Sequence, residues 1–252
     1  MRRSLAFTLV EMLLVVAIIV VLIAMLLPSL QHARRNAWTV RCETNLNAIG
    51  VATHNYGAAN NYFAARDAWY NNNDPNDPAN YAHYHFVGRY SEHIGGPKVP
   101  LSQDADNTAL FNAAEAVESW RCPAERDPAY ALTYAANGVD FLYYSKTTVY
   151  TSGRVSRVRG HPGSPNRVVN IVEANTLTYQ TPTGMGVYDV FRALSEFTFY
   201  GPTPAPNPRM IKHDDPRHGG VTTLLFFDGH VEIRQLKPEA LPVQLLNPLD
   251  PN

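Results

Sequence analysis

The chain has 252 residues, a formal net charge of −1 and two cysteines. The balanced charge lacks the basic excess that marks most nucleic-acid-binding domains, so no nucleic-acid partner is expected from charge. Two cysteines are too few for a disulfide-stapled scaffold, and the length allows one globular domain with its own core beside a membrane segment.

The N-terminal segment contains an apolar run from Phe7 to Leu27 in which Glu11 is the single charged residue. As a helix this run would be about 32 Å long, which matches the roughly 30 Å hydrocarbon core of a bilayer. A cleaved secretory signal fits less well, because its apolar core is shorter and the residues after Pro28 do not form a small-residue cleavage site. The run therefore predicts a membrane-spanning helix.

Two residues of this segment carry information beyond hydropathy. Glu11 places an ionisable group inside the span, where it either reaches the membrane interface or pairs with a positive charge supplied by another molecule. Pro28 lacks an N–H, so it either ends the helix or bends it. A bend is favoured because a helical pattern resumes after Pro28.

The sequence Ala6-Phe7-Thr8-Leu9-Val10-Glu11 resembles the cleavage and methylation signal of type IV pilins and type II secretion pseudopilins. In that family a basic leader is cut immediately before a Phe, the new terminal Phe is N-methylated, and a Glu stands at its fifth position. With Phe7 counted as first, Glu11 is fifth and Pro28 is twenty-second, where pilins carry a helix-bending Pro. The family usually has Gly before the cut, where this chain has Ala6.

The resemblance implies a leader at residues 1–6, a transmembrane and assembly helix at 7–28, an amphipathic stalk helix at 29–60 and an exported globular head at 61–252. The implied fold is α+β. A long N-terminal helix, with a membrane half and a stalk half, packs on a mainly antiparallel β head. The implied partners are prepilin peptidase, other pilin or pseudopilin subunits and the inner membrane. In a filament, Glu11 would neutralise the Phe7 amine of an adjacent subunit. The implied function is a structural filament subunit and not an enzyme, with no cofactor.

Arginines flank the apolar run on both sides. Arg2 and Arg3 place the N-terminus in the cytoplasm by the positive-inside rule, whereas Arg34, Arg35 and Arg41 argue in the opposite direction. The pilin resemblance decides for a single-pass inner-membrane protein with an exported head, which then joins a periplasmic or cell-surface filament.

Residues 29–58 show a helical pattern with one apolar face, which is expected to pack against the sheet of the head. The residues of this face recur at steps of three or four: Trp38, Cys42, Leu46, Ile49, Thr53 and Tyr56. The other cysteine, Cys122, lies in a short segment that ends in Pro123. Cys42 and Cys122 either form a disulfide, which the entropic treatment values at roughly 4 kcal/mol for a loop of about 80 residues, or remain two small buried thiols.

Short elements are predicted in the head from turn dipeptides and β-rich runs. They are a helix at Asn107–Val117, a hairpin of Leu132–Ala136 and Val139–Ser145 around Asn137-Gly138, a strand within Arg167–Glu173, and a second hairpin of Val221–Phe227 and His230–Arg234 around Asp228-Gly229. Nine residues separate His218 from Asp228-Gly229. That spacing resembles a C-terminal motif associated with prepilin-type proteins from bacteria with many pseudopilin-like genes.

Acidic and imidazole side chains near this motif would form a hydrolase or metal site if they converged in space. They are His213, Asp214, Asp215, His218, Asp228 and His230. A structural interpretation is preferred and no metal site is assigned, because the turn explains Asp228, and His218 can precede the strand and hydrogen-bond the hairpin. Two other functions stay open. One is an uncleaved, membrane-tethered extracellular binding module, and the other is a surface hydrolase that uses these His and Asp residues.

Overall fold

The computed structural model describes residues 8–60, 86–99, 112–125, 132–137, 166–173, 190–191, 217–237, 240–241 and 245. The chain divides into two compact units, one ending at Ala37 and the other beginning at Trp38. The first unit is helical from Leu9 onward. The second contains the rest of that helix, several short helices and a β-sheet, so the fold is α+β, as predicted.

Helix α1 spans Leu9–Asn60 and begins with a capping box. The Thr8 hydroxyl accepts the Glu11 backbone N–H (3.3 Å), and the Glu11 carboxylate accepts both the Thr8 backbone N–H (2.8 Å) and the Thr8 hydroxyl (2.7 Å). Two backbone donors that a helix start leaves unpaired are thereby satisfied. This local role of Glu11 was not predicted from the sequence.

The helix continues through Pro28, which excludes the alternative that Pro28 ends it. Because proline has no N–H, the carbonyl of Ala24 loses its usual helical partner. Directly after Pro28, the hydroxyl of Ser29 donates to the carbonyl of Leu26 (2.8 Å). Pro28 therefore interrupts the hydrogen-bond ladder of α1 without terminating it.

Every described residue of the first unit, 8–37, is exposed. This stretch carries a helical segment that is apolar enough and long enough to cross a membrane. A helix that is apolar on all sides is stable only in apolar surroundings, such as lipid or other apolar helices. The predicted transmembrane helix is thus present as a candidate span.

The predicted apolar face of α1 is buried in the second unit. All six of its residues are buried or partly buried: Trp38, Cys42, Leu46, Ile49, Thr53 and Tyr56. Four polar residues were expected largely off this face, of which Arg34, Arg35 and Asn47 are exposed and Glu43 is partly buried. The helical periodicity of residues 29–58 was therefore a correct guide to burial.

Five strands form the sheet of the second unit: β1 (Tyr134–Asn137), β2 (Val169–Glu173), β3 (Val190–Phe191), β4 (Val221–Phe226) and β5 (Val231–Gln235). Their order is β3-β1-β2-β4-β5. The pairs are antiparallel except for the short parallel pair of β1 with β3. Every residue of the central strand β2 is buried.

The predicted strands differ in how well they fit. Those within Arg167–Glu173 and Val221–Phe227 correspond to β2 and β4. β1 overlaps the predicted Leu132–Ala136, but its expected hairpin partner Val139–Ser145 lies outside the described residues. At Ala136 both edges of β1 are already paired, one with β2 and the other with β3. Of the predicted helix after Asn107, residues 112–115 are described as helical.

The hairpin of β4 and β5 closes through a three-residue loop. The Gly229 N–H donates to the Phe226 carbonyl (3.0 Å), and the Phe226 N–H donates to the His230 carbonyl (2.9 Å). Gly229 has a φ of 91°, a left-handed conformation that glycine adopts at little cost. The predicted turn at Asp228-Gly229 is confirmed, with one more loop residue than the dipeptide alone.

Replacing Ile49 by Ala is expected to lower the free energy of unfolding by about 2–5 kcal/mol, because a fully buried side chain leaves a cavity. Val51→Ala is the matched control, since Val51 lies on the same helix and is 61% exposed; its effect should stay within about 0.5 kcal/mol. Denaturant unfolding of the full chain in detergent, followed by tryptophan fluorescence, compares the two variants. Equal losses would contradict the assigned buried face.

Candidate functional site

The two cysteines meet in the interior of the second unit. Cys42 lies on α1 and Cys122 follows a short 3-10 helix, Glu118–Trp120. Both are buried free thiols in this structure. Their sulfur atoms belong to a group of four potential ligand atoms that lie within 4.8 Å of one another. The sequence predicted these two cysteines as a possible disulfide and His218 as part of a separate candidate group, but it connected neither cysteine with His218, and Glu173 was missed.

His218 is at the centre of this group. Its Nε2 lies 3.4 Å from the Cys42 sulfur, 3.1 Å from the Cys122 sulfur and 2.9 Å from Oε1 of Glu173. Its Nδ1 lies 3.2 Å from the Thr39 hydroxyl. His218 was expected to hydrogen-bond the β4–β5 hairpin, and this expectation is corrected here. Its two ring nitrogens contact side chains on α1, at the end of β2 and at Cys122. We call Cys42, Cys122, Glu173 and His218 the buried cluster.

Three hydrogen bonds hold the Cys122 segment in place. The Asn45 side-chain amide on α1 donates to the Arg121 carbonyl (2.9 Å). The Thr133 N–H donates to the Trp120 carbonyl (3.1 Å), and the Thr133 hydroxyl accepts the Cys122 N–H (2.6 Å). The position of Cys122 is therefore fixed from the helix on one side and from the chain entering β1 on the other.

Glu173 ends β2 inside the protein and keeps its charge there. Its carboxylate lies 3.6 Å from the guanidinium of Arg217, which also lies 3.8 Å from the carboxylate of Glu125. Burial alone would raise the pKa of the Glu173 carboxyl, but the positive charge of Arg217 and the contact with His218 outweigh burial and hold that pKa below its ordinary value.

The protonation of the remaining groups follows from the same contacts. Burial would lower the pKa of His218, but hydrogen bonds with Cys122 and Glu173 outweigh burial and raise that pKa to about 10. The pKa of the Cys122 thiol is raised by its hydrogen bond with Cys42 and by burial. Without a further cation, the buried cluster therefore consists of a charged His218–Glu173 pair beside a protonated Cys122 thiol.

Both ends of the motif from His218 to Gly229 contact α1. His218 lies against Thr39, while a Cβ on Gly229 would meet Nε2 of His54 at 2.7 Å and one on Gly50 would meet the Gly229 carbonyl oxygen at 3.4 Å. Along the axis of α1, the rise from Thr39 to His54 is about 22 Å. β4 covers roughly 17 Å and its flanking turns the rest. The nine-residue spacing is thus the length of one strand with its two turns.

Of the other candidate catalytic residues, the two that the structure describes, Asp228 and His230, do not join the buried cluster. Asp228 Oδ1 pairs with Nδ1 of His230, and Nε2 of His230 lies 3.2 Å from Glu232, at the partly exposed β4–β5 hairpin. His213, Asp214 and Asp215 lie outside the described residues. The signal that could have identified Glu173 is its position, since an acidic residue follows the β-rich run Val168–Val172, in which Asn170 is the one polar residue.

The predicted assembly residues are only partly described. Ala6 and Phe7 lie outside the described residues. Glu11 and Pro28 both belong to α1, with Glu11 in the capping box and Pro28 within the helix. No contact of either residue with a second subunit is available in a single chain, so their assembly roles stay predictions.

Comparisons of the chain with models of protein families, with curated protein sequences and with solved structures find no match. Function is therefore inferred from the residues of the chain and from their geometry.

Gly229→Ala and Gly220→Ala form a matched pair, because both glycines have a φ of 91° but a Cβ meets nothing within 4 Å at Gly220. Both variants should lose about 1–2 kcal/mol of stability for the left-handed backbone. Gly229→Ala should lose up to about 1 kcal/mol more, because its methyl group would displace the far end of the His54 side chain.

Thermal and denaturant unfolding of the two variants measures this difference. Repeating the comparison in a His54→Ala background should abolish the excess loss at Gly229, since the overlapping ring is gone. Equal losses at the two glycines in the parent chain would contradict the close approach of the hairpin to α1.

Proposed function

We propose that this chain is a structural subunit of a type IV pilus-like or type II secretion pseudopilus filament, anchored in the inner membrane before assembly. The observation that supports this most is the change of character along α1. The residues up to Ala37 are exposed and largely apolar, whereas from Trp38 onward one face is buried in a folded unit. A helix of this kind can lie in lipid first and in a bundle of identical helices afterwards.

The N-terminal sequence supplies the processing signal in this proposal. Prepilin peptidase cuts between Ala6 and Phe7, removes residues 1–6 and methylates the new terminal amine. The exported part then begins beyond the membrane span. Ala6 occupies the position at which the family usually has Gly, and this substitution favours the alternative of an uncleaved, membrane-tethered binding module.

Glu11 has two tasks in the proposed filament. Within one chain its carboxylate completes the capping box with Thr8. Between chains the same carboxylate would neutralise the Phe7 amine of a neighbour, in surroundings where water is excluded and opposite charges attract strongly. The two tasks are separable, because a capping box accepts Gln in place of Glu while charge pairing does not.

The N-terminal processing of the chain tests the proposal first. After co-expression with a prepilin peptidase, the membrane-extracted chain should begin at N-methylated Phe7, as seen by intact mass and by sequencing of its N-terminal peptide. Ala6→Gly is the positive control, since it restores the usual family residue. A parent chain that still begins at Met1 while Ala6→Gly is cut would overturn the filament role in favour of a tethered binding module.

Filament assembly tests the intersubunit role of Glu11. Glu11→Gln retains an acceptor for the Thr8 N–H but loses the charge, so it should be processed normally yet yield few or no sheared filaments. Thr8→Ala is the matched control, because it weakens the capping box by about 1 kcal/mol and keeps the charge of Glu11, so filaments should form. The pairing role fails if Glu11→Gln assembles at the parent level, or if Thr8→Ala is equally defective.

A further inference from the structure

We propose that the buried cluster is a structural zinc site in which Cys42, Cys122, Glu173 and His218 supply four ligands to one Zn²⁺ ion. This inference is independent of the filament role. It concerns only the second compact unit, to which all four residues belong.

The donor set fits zinc. Two thiolates, one imidazole and one carboxylate are ligands that Zn²⁺ takes in tetrahedral protein sites. With bond lengths of about 2.3 Å to sulfur and about 2.0–2.1 Å to nitrogen and oxygen, ligand atoms in such a site lie roughly 3.3–3.8 Å apart. The four ligand atoms here all lie within 4.8 Å of one another, and the contacts of His218 span 2.9 to 3.4 Å. Small side-chain movements would bring them to the required distances.

The contacts around Nε2 of His218 point to a cation. This nitrogen faces two sulfurs and a carboxylate oxygen at hydrogen-bonding distance, but it carries at most one proton. That proton is donated to the Glu173 carboxylate at 2.9 Å, which leaves the two sulfurs close to this nitrogen without a hydrogen bond from it. A divalent ion between the four groups satisfies all of them at once and replaces the thiol protons, which leave to solvent.

Neighbouring side chains hydrogen-bond to the proposed ligands and orient them, as is usual around metal sites in proteins. With a proton on Nδ1 of His218, the ring donates to the Thr39 hydroxyl (3.2 Å) and presents the lone pair of Nε2 to the cluster. The Tyr134 hydroxyl donates to the Cys42 sulfur (3.3 Å). Hydrogen bonds to a thiolate sulfur of this kind stabilise its negative charge.

A buried cation lies next to the proposed site. Zn²⁺ with two thiolates, one carboxylate and a neutral imidazole carries one net negative charge. The guanidinium of Arg217 lies 3.6 Å from the Glu173 carboxylate and offsets part of that charge, because it also lies 3.8 Å from the buried carboxylate of Glu125. This gives a reason for a buried arginine directly before the ligand His218 in the sequence.

Burial assigns the metal a structural role. The side chains of His218 and Glu173 are 2% and 3% exposed, and neither cysteine has exposed surface. Four protein ligands leave no open position for water or substrate, which is the mark of structural zinc. The ion would join four parts of the chain: α1, the Cys122 segment, β2 and the turn before β4. His218 lies in that turn, and its contacts in the other three parts are 176, 96 and 45 residues away in sequence.

The test uses the full chain in detergent, purified through a tag that contains no histidine. The chain is reduced, stripped with a chelator under nitrogen and then titrated with Co²⁺ and with Zn²⁺. We expect about one metal ion per chain, the intense near-ultraviolet absorption of cobalt–thiolate bonds, the visible bands of tetrahedral cobalt, and bleaching of both when zinc displaces cobalt. Uptake should also raise the midpoint of thermal unfolding.

Matched variants assign the ligands. His218→Gln and Glu173→Gln should weaken cobalt binding at least tenfold and alter its visible bands, whereas His230→Gln and Glu232→Gln, at the partly exposed hairpin, should bind as the parent does. Cys42→Ser and Cys122→Ser should each reduce the cobalt–thiolate absorption. Metal uptake is measured on the parent chain alone, so misfolding of a variant does not affect that first measurement.

The opposite outcomes are equally definite. A reduced chain that takes up neither cobalt nor zinc, folded or not, overturns the proposal. Isolation of the chain with a Cys42–Cys122 disulfide, and failure to bind metal after its reduction, would assign the cysteines to the disulfide instead. Metal binding that is unchanged in both His218→Gln and Glu173→Gln would place the ion elsewhere. None of these results depends on cleavage at Ala6 or on filament formation.

Discussion

The imidazole of His218 holds together parts of the chain that no local sequence pattern connects. Its two nitrogens reach α1 at Thr39 and Cys42, the segment of Cys122, and the end of β2 at Glu173. Each of these groups is costly to bury alone, and each is tolerated because the others are present. The buried face of α1 and the fully buried strand β2 meet at this polar centre, where α1 brings a hydroxyl and a thiol and β2 ends in a buried carboxylate that Arg217 also contacts.

Helix α1 must satisfy two different environments with one backbone. Its first part is apolar on all sides, so the side-chain pattern there does not select one face of the helix for burial. Its second part is one-sided, and the stripe from Cys42 to Tyr56 determines a single packed orientation. Pro28 lies in the first part and removes a ladder hydrogen bond. The weak point of the helix therefore lies outside the segment that builds the core.

The sequence was sufficient at two places where a short-range rule applied. The spacing of three and four residues identified the buried face of α1, and Asp228-Gly229 identified the β4–β5 turn. It was insufficient where chemistry came from distant segments. Cys42 and Cys122 were paired because they are the two cysteines, but nothing local linked either of them to Glu173 or to His218. The capping role of Glu11 was visible in Thr8-Leu9-Val10-Glu11 and was missed because its charge within an apolar run suggested a different explanation.

The double attachment of the motif to α1 sets a rule of length. His218 and Gly229 touch the helix at two places, and the strand between them must span that interval in a fixed register. Side chains along a strand alternate between faces, so one added or lost residue would turn every following side chain of β4 to the wrong side. Related chains that diverge in sequence would therefore exchange residues within β4 but keep the number of residues in this strand constant. Insertions would accumulate in other connections. In such a lineage the spacing of the motif would be preserved for longer than the identity of the residues inside it.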